Sequence, residues 1–133
     1  MSVDVIRDPS GPLKQTVRVR AHTFTADASI AEGGEDAGPS PHDLYDAALA
    51  ACKVVTVLWY AQRKGIPVED VAVSVERDAT EERSGVYRLD AHMRLRGALS
   101  DAQRRELLSV AEKCPVHKLM TQVRTEIRTT LVE

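Results

Sequence analysis

The longest apolar pattern in the chain runs from Ser40 to Lys64 and predicts a helix. Ser40 and Asp43 have the spacing of a capping box, and Pro41 suits the first helical position. Gly65 follows as a stop signal. Apolar residues occupy almost every side of this helix, which is typical of a helix buried on most sides. We therefore expect either a sheet or a second subunit to cover it.

The length of this predicted helix, about 24 residues, would also suffice to span a bilayer. Three polar residues interrupt the apolar pattern: Asp46, Lys53 and Gln62. Charged groups in the middle of a membrane span are costly. The pattern therefore favours a buried central helix over a membrane span.

Alternating apolar and polar positions predict strands on both sides of this helix. Residues 3–6 are expected to form a short strand, and residues 14–26 alternate like a half-buried antiparallel strand, either continuous or bent into two. Residues 68–78 and 86–96 also alternate, and the polar linker between them predicts a long hairpin. Residues 27–39, between strand and helix, are rich in glycine and acidic residues. No Lys-Ser/Thr follows those glycines, so we interpret this stretch as a flexible loop and not as a phosphate cradle.

The last third of the chain predicts two short helices and a closing strand. The first helix runs from Ser100 to Lys113, and Ser100 and Gln103 again have capping-box spacing. Pro115 ends it and opens a third helix over residues 116–123. Residues 125–132 alternate like a strand. The order is β-β-α-β-β-α-α-β, which predicts an α+β fold with mostly antiparallel strands in a single domain over residues 1–133.

Composition narrows the function classes. The chain has 133 residues, 43% apolar and 29% charged, with a net charge of −2. Aromatic residues make up only 4% and there is no basic block, so nucleic acid is a poor partner. The N-terminus shows no apolar signal-peptide core, so we expect a cytoplasmic protein without a membrane partner. The four histidines show no metal-ligand spacing, and no metal site is predicted.

The two cysteines carry the most specific candidate chemistry. Cys114 precedes Pro115 and opens a helix, so free backbone N–H groups near its sulfur are expected to favour the thiolate. Cys52 lies in an apolar, alanine-rich stretch that keeps a thiol inert unless a cation or a strong donor reaches it. A small core residue is therefore the alternative interpretation of Cys52.

Three segments resemble the OsmC/Ohr family of cysteine-dependent hydroperoxide reductases: GGEDAGPSPHDLYDAALAAC, YAQRKG and EKCPVHKLM. The resemblance runs from about Val17 to the C-terminus. It implies an intertwined homodimer with sheets wrapped around two long central helices. It also implies that Cys52 is the peroxidatic thiolate and Cys114 the resolving thiol. Cys52 would attack the O–O bond of an organic hydroperoxide, and its sulfenic acid would condense with Cys114 to a disulfide.

The family also implies an external lipoyl-type dithiol, such as a lipoylated protein, as the reductant, and no bound cofactor. Family peroxidases carry a Glu ten positions before the peroxidatic cysteine, where this chain has His42, with a carboxylate next to it at Asp43. They also use an arginine from the N-terminal region to hold the thiolate. Arg18 is the first candidate for that role here, followed by Arg20 and Arg7.

Two functional hypotheses follow from these residues. The first is a thiol peroxidase that uses Cys52 and Cys114, with Arg18, His42 and Asp43 as candidate thiolate-stabilising or substrate-binding residues. The second is a non-catalytic dimer of the same fold that binds a small apolar ligand. The missing Glu favours the second hypothesis, and the two cysteine motifs favour the first.

Overall fold

The computed structural model describes all residues, 1–133. The chain forms two compact units, residues 1–47 and residues 48–133, and the long first helix runs from one into the other. Antiparallel strands and three α-helices make this an α+β fold, as the sequence predicts. That the chain is a single domain stays a prediction.

The first unit contains an antiparallel sheet in the order β1-β2-β3. Its strands are β1 (Val3–Arg7), β2 (Gln15–Val19) and β3 (His22–Ala26). The predicted strand over residues 14–26 is therefore a hairpin of two paired strands, with Val19 opposite His22. Arg20 lies in the turn with a φ of 53°, in the left-handed region that tight turns require.

Asp27 holds the loop that precedes the long helix. Its side chain is fully buried and accepts backbone hydrogen bonds from Ala28, Glu35 and Ala37 at 2.8 to 3.2 Å. These bonds lower the pKa of Asp27, the one from Ala28 having the largest effect. The glycine-rich stretch expected to be a flexible loop is thus wrapped around one buried carboxylate.

The long helix, α1, spans Pro41–Lys64, as the sequence predicts. At its start, the Ser40 N–H donates to the Asp43 carboxylate, and the Asp43 N–H donates to the Ser40 hydroxyl. Only one stripe of α1 is buried, through Leu49, Lys53, Val57 and Ala61. The expected burial on most sides is therefore not reached within one chain. By length and composition alone, α1 is also the one helix that could cross a membrane, a criterion that core helices of soluble proteins satisfy as well.

The second unit contains the remaining elements. They are β4 (Asp70–Asp78), β5 (Arg88–Arg96), α2 (Asp101–Glu112) and α3 (Pro115–Thr121). The two strands form the predicted antiparallel hairpin, with Asp70 opposite Arg96. Helix α2 begins with the predicted capping box of Ser100 and Gln103. The core of this unit joins α1 to α2, since it consists of Val57, Ala61, Ile66, Leu107 and Ala111.

The predicted closing strand over residues 125–132 is wrong for the isolated chain. Residues 123–133 contain no strand, and Ile127, Leu131 and Val132 are 85 to 91% exposed. The alternating pattern is present, but a strand forms only when its backbone groups find a partner in a ladder. No other strand of this chain pairs with the segment.

Candidate functional site

The site is built where α1 meets the end of α2 and the start of α3. Cys52 comes from the middle of α1, and Cys114 is the N-cap residue of α3. The main chain reaches Cys114 from α2 through Lys113, and Pro115 opens the next helix directly. These short connections bring the second cysteine back to the first, 62 positions along the chain.

Both cysteines are free thiols, and Cys52 lies close enough to Cys114 to act on its ionisation. Sγ of Cys52 accepts a hydrogen bond from the backbone N–H of Val116 at 3.4 Å, and it lies 3.9 Å from the Thr56 hydroxyl. A backbone N–H directed at sulfur stabilises negative charge on that sulfur. Cys52 therefore has the strong donor that its apolar sequence context alone did not supply.

Exposure differs between the two cysteines. Cys52 is partly exposed, whereas Cys114 is completely buried. Burial raises the pKa of the Cys114 thiol, and the neighbouring Cys52 thiol acts in the same direction. The backbone N–H of His117 and the charge of Lys53 partly oppose that rise. The expectation that helix-start N–H groups leave Cys114 as the thiolate is therefore wrong, because burial outweighs them.

Two residues that the sequence analysis did not place at the site lie beside the thiols. Lys53 is 6% exposed, and its Nζ donates to the Ala111 carbonyl at 2.8 Å. The same Nζ lies 3.1 Å from Nδ1 of His117. The signal for Lys53 was a lone lysine next to Cys52 in an otherwise apolar helix. His117 is one of the four histidines without metal-ligand spacing, and nothing in its sequence context points to a partner 64 positions away.

The other candidate residues lie in the first unit. Arg18 is an exposed residue of β2, and Arg20 and Arg7 are also exposed. His42 is the second residue of α1 and is exposed, and Asp43 caps the backbone of Ser40. That any of them acts on the Cys52 thiol stays a prediction. No group of three or more His, Cys, Asp or Glu residues has an arrangement that could hold a metal ion.

A second surface feature lies further along α1. An open groove of about 430 Å³ is lined mainly by apolar residues. They are Val55, Leu58, Trp59, Ala61, Gln62, Ile66 and Val68. The groove belongs to the same apolar helix face that the chain leaves exposed.

Comparison with known proteins places this geometry in context. The family model described as OsmC-like protein matches residues 33–130, well over half of the chain. No curated protein matches the chain.

Solved structures match over almost the whole chain. An OsmC-like protein from Mycoplasma pneumoniae is 21% identical with a TM-score of 0.73, covering 92% of this chain and 87% of that one. An organic hydroperoxide resistance protein from Legionella pneumophila is 22% identical with a TM-score of 0.65, covering 92% and 90%. OhrB of Bacillus subtilis is 19% identical with a TM-score of 0.59, covering 92% of both chains. At these identities the likeness establishes the fold.

Proposed function

The chain belongs to the OsmC-like protein family, and on that premise we propose that it is a thiol peroxidase of organic hydroperoxides. The observation that carries the proposal is the position of a partly exposed Cys52 beside the helix start that holds the buried Cys114, where the Val116 N–H donates to the Cys52 sulfur. Because Val116 is only two positions from Cys114, the two thiols need little movement to form a disulfide, whose sulfurs lie about 2 Å apart. Similar structures described as organic hydroperoxide resistance proteins support the same substrate class.

The proposed reaction uses the exposure difference between the two cysteines. The Cys52 thiolate attacks one peroxide oxygen, the O–O bond breaks, and the other oxygen leaves with the organic group and takes up a proton to become an alcohol. Cys52 is then a sulfenic acid. The sulfur of Cys114 attacks the Cys52 sulfur and water leaves, which gives a Cys52–Cys114 disulfide.

An external dithiol then restores both thiols. We propose a lipoyl-type dithiol as reductant, as the family resemblance implies. Each cycle consumes one hydroperoxide and one dithiol and yields an alcohol, water and an oxidised dithiol. The protein groups that assist are the Val116 N–H, which points at the Cys52 sulfur, and Thr56, whose hydroxyl lies nearby.

We further propose that the protein acts as a homodimer. Val55, Leu58 and Trp59 on α1 are 43 to 65% exposed in a single chain, and the C-terminal segment carries a strand pattern without a partner strand. Large contiguous apolar surfaces on soluble proteins usually mark an interface. A second copy would cover the α1 face and could pair with the C-terminal segment.

Turnover of cumene hydroperoxide with dihydrolipoamide tests the peroxidase proposal. The wild-type protein is expected to consume both substrates in equal amounts, and Cys52→Ser to consume neither above background. Ser109→Ala, which removes an exposed hydroxyl from α2, is the control and should retain turnover. Full turnover by Cys52→Ser would refute the proposal.

The groove along α1 lies on the face proposed to contact a second copy, and it supports the alternative of a non-catalytic dimer that binds a small apolar ligand at that interface. Trp59 lines this groove and is the only tryptophan in the chain, so its fluorescence reports directly on occupancy. Titration with a long-chain alcohol would quench or shift that fluorescence if the groove binds ligands. Saturable binding, together with cysteines that stay reduced in excess hydroperoxide, would favour this alternative.

A further inference from the structure

Lys53 is a buried cation directly beside the thiol pair. Its Nζ has two polar neighbours, the Ala111 carbonyl oxygen at 2.8 Å and Nδ1 of His117 at 3.1 Å. An ammonium group can only donate hydrogen bonds, so Nδ1 of His117 accepts.

These contacts join three helices at one atom. Lys53 belongs to α1, Ala111 to the last turn of α2, and His117 to α3. Cys114 lies on the main chain between the two contacted residues. The hydrogen bonds of Lys53 therefore hold both sides of the segment that carries the buried thiol.

We propose that Lys53 is a positioning residue for the thiol pair. It holds Cys114 against Cys52 and places a positive charge near the Cys114 sulfur. As a result, Cys114 is the sulfur that leaves as a thiolate when the disulfide is reduced. This inference rests on the proposed function and goes beyond it by assigning the direction of the reductive step.

Two independent observations support this direction. Cys52 is partly exposed and Cys114 is completely buried, so an incoming thiol reaches only the sulfur of Cys52. The charged and titratable groups that act on the Cys114 thiol are Cys52 and Lys53 of α1, and the uncharged backbone N–H of His117 adds to them. Of these, Lys53 is the only cation, and it opposes the effect of burial on the pKa of Cys114.

The reductive step then has one course. A thiolate of the external dithiol attacks Sγ of Cys52, the Cys52–Cys114 bond breaks, and its electron pair passes to Sγ of Cys114. The second thiol of the reductant, as its thiolate, attacks the reductant sulfur in the mixed disulfide and releases the Cys52 thiolate. A thiol with a lower pKa is the better leaving group. The charge of Lys53 lowers the pKa of Cys114 and therefore favours Cys114 as the leaving thiolate.

The effect of the Lys53 charge on the ionisation of Cys114 can be measured without any peroxide. In a Cys52→Ser background, Cys114 is the only thiol, and its thiolate is followed by ultraviolet absorbance against pH. Adding Lys53→Gln removes the charge but keeps a hydrogen-bond donor, and Lys53→Arg keeps the charge. We expect Lys53→Gln to move the titration midpoint of Cys114 up by about one pH unit, roughly a tenfold lower thiolate fraction below the midpoint.

Lys53→Arg should keep the midpoint close to that of the protein with Lys53, and Lys64→Gln, which removes an exposed lysine from the same helix, should leave the midpoint unchanged. An unchanged midpoint in a folded Lys53→Gln variant would overturn the charge effect. Because this titration requires no turnover, it stands or falls separately from the peroxidase proposal.

The direction of attack is tested on the wild-type protein, so it does not depend on the variants folding. The disulfide is formed with a chemical oxidant, exposed briefly to a monothiol and quenched with acid. Peptide mapping is expected to find the mixed disulfide on Cys52. A mixed disulfide found mainly on Cys114 would overturn the inference.

Discussion

The backbone N–H of Val116 lies 3.4 Å from Sγ of Cys52, although 64 residues separate the two along the chain. Val116 occupies the first turn of α3, immediately after Cys114 and Pro115. The contact fixes the start of α3 against the middle of α1, and with it the position of the second thiol. This arrangement of α1 and α3 is the basis of the proposed redox chemistry. It depends on the packing of α1 against α2 in the core of the second unit.

Leu107 is completely buried between α1 and α2 in the core of the second unit. We expect Leu107→Ala to lower the free energy of unfolding by about 2–5 kcal/mol, because it removes buried methyl groups and leaves a cavity. Urea denaturation followed by circular dichroism measures the change. Leu108→Ala is the matched control, because Leu108 is 49% exposed and should lose less than half as much. Equal losses would contradict the described packing of α2.

Asp27 should make the first unit sensitive to acid. Hydrogen bonds from backbone N–H groups, first that of Ala28, hold its pKa below the usual 3.8. The carboxylate therefore contributes stability above the unfolded-state pKa, and that contribution is lost as the pH falls through the lower folded-state pKa. Asp27→Asn should be less stable than wild type at neutral pH, and the difference should shrink below about pH 4.

Thermal melts over a pH series test this prediction. Asp36→Asn removes an equal charge from the same loop, where Asp36 is exposed, and should change stability little. A difference between Asp27→Asn and wild type that is the same at every pH would show that the carboxylate charge is not responsible.

Tyr60 on α1 donates its phenol hydrogen to the Glu106 carboxylate on α2. This hydrogen bond is the main cause that raises the pKa of Tyr60 above 10.0, with burial and the carboxylate charge adding to it. The bond contributes stability below the unfolded-state pKa, and that contribution is lost as the pH rises through the folded-state value. We expect Glu106→Gln to lower the pKa of Tyr60.

Ultraviolet titration of phenolate absorbance measures this effect, and Tyr60→Phe identifies which of the three tyrosines responds. Glu112→Gln removes an exposed carboxylate at the end of the same helix and should leave the titration unchanged. A titration curve that Glu106→Gln does not move would argue against the contact in solution.

The exposed face of α1 predicts the effect of a single charge on assembly. Val55 is 65% exposed and lies on the face proposed to contact a second copy. Val55→Asp should convert a dimer to a monomer, because an unpaired carboxylate in an apolar interface is costly. Sedimentation equilibrium measures the mass. Ala102→Asp adds the same charge to an exposed position of α2 and should leave the dimer intact, whereas a dimeric Val55→Asp would exclude this face from the interface.

Most secondary structure could be predicted from the sequence because its signals are local. The long helix, its Ser40–Asp43 capping box, the hairpin and the second helix are where the apolar spacing and turn residues indicate. The predicted strand over residues 125–132 failed for a non-local reason. Its alternation is intact, but a strand requires a partner, and no strand within one chain supplies one.

The site was predictable only in part, for the same reason. The motifs around Cys52 and Cys114 predict both cysteines as site residues. The roles of Lys53 and His117 depend on contacts across 58 and 64 positions, which no local pattern encodes. The ionisation expected for Cys114 was wrong because burial depends on the packed structure, whereas the helix-start argument considers only neighbours in sequence.

The most direct test of the central claim is a thiol count on the pure protein before and after one equivalent of cumene hydroperoxide, with the intact mass measured in parallel. We expect both thiols to disappear and the mass to fall by two hydrogen atoms. In Cys114→Ser we expect instead a Cys52 sulfenic acid, seen as the gain of one oxygen atom. Two thiols that persist, with no change in mass, would refute the proposed redox pair and make Cys52 a packed core residue.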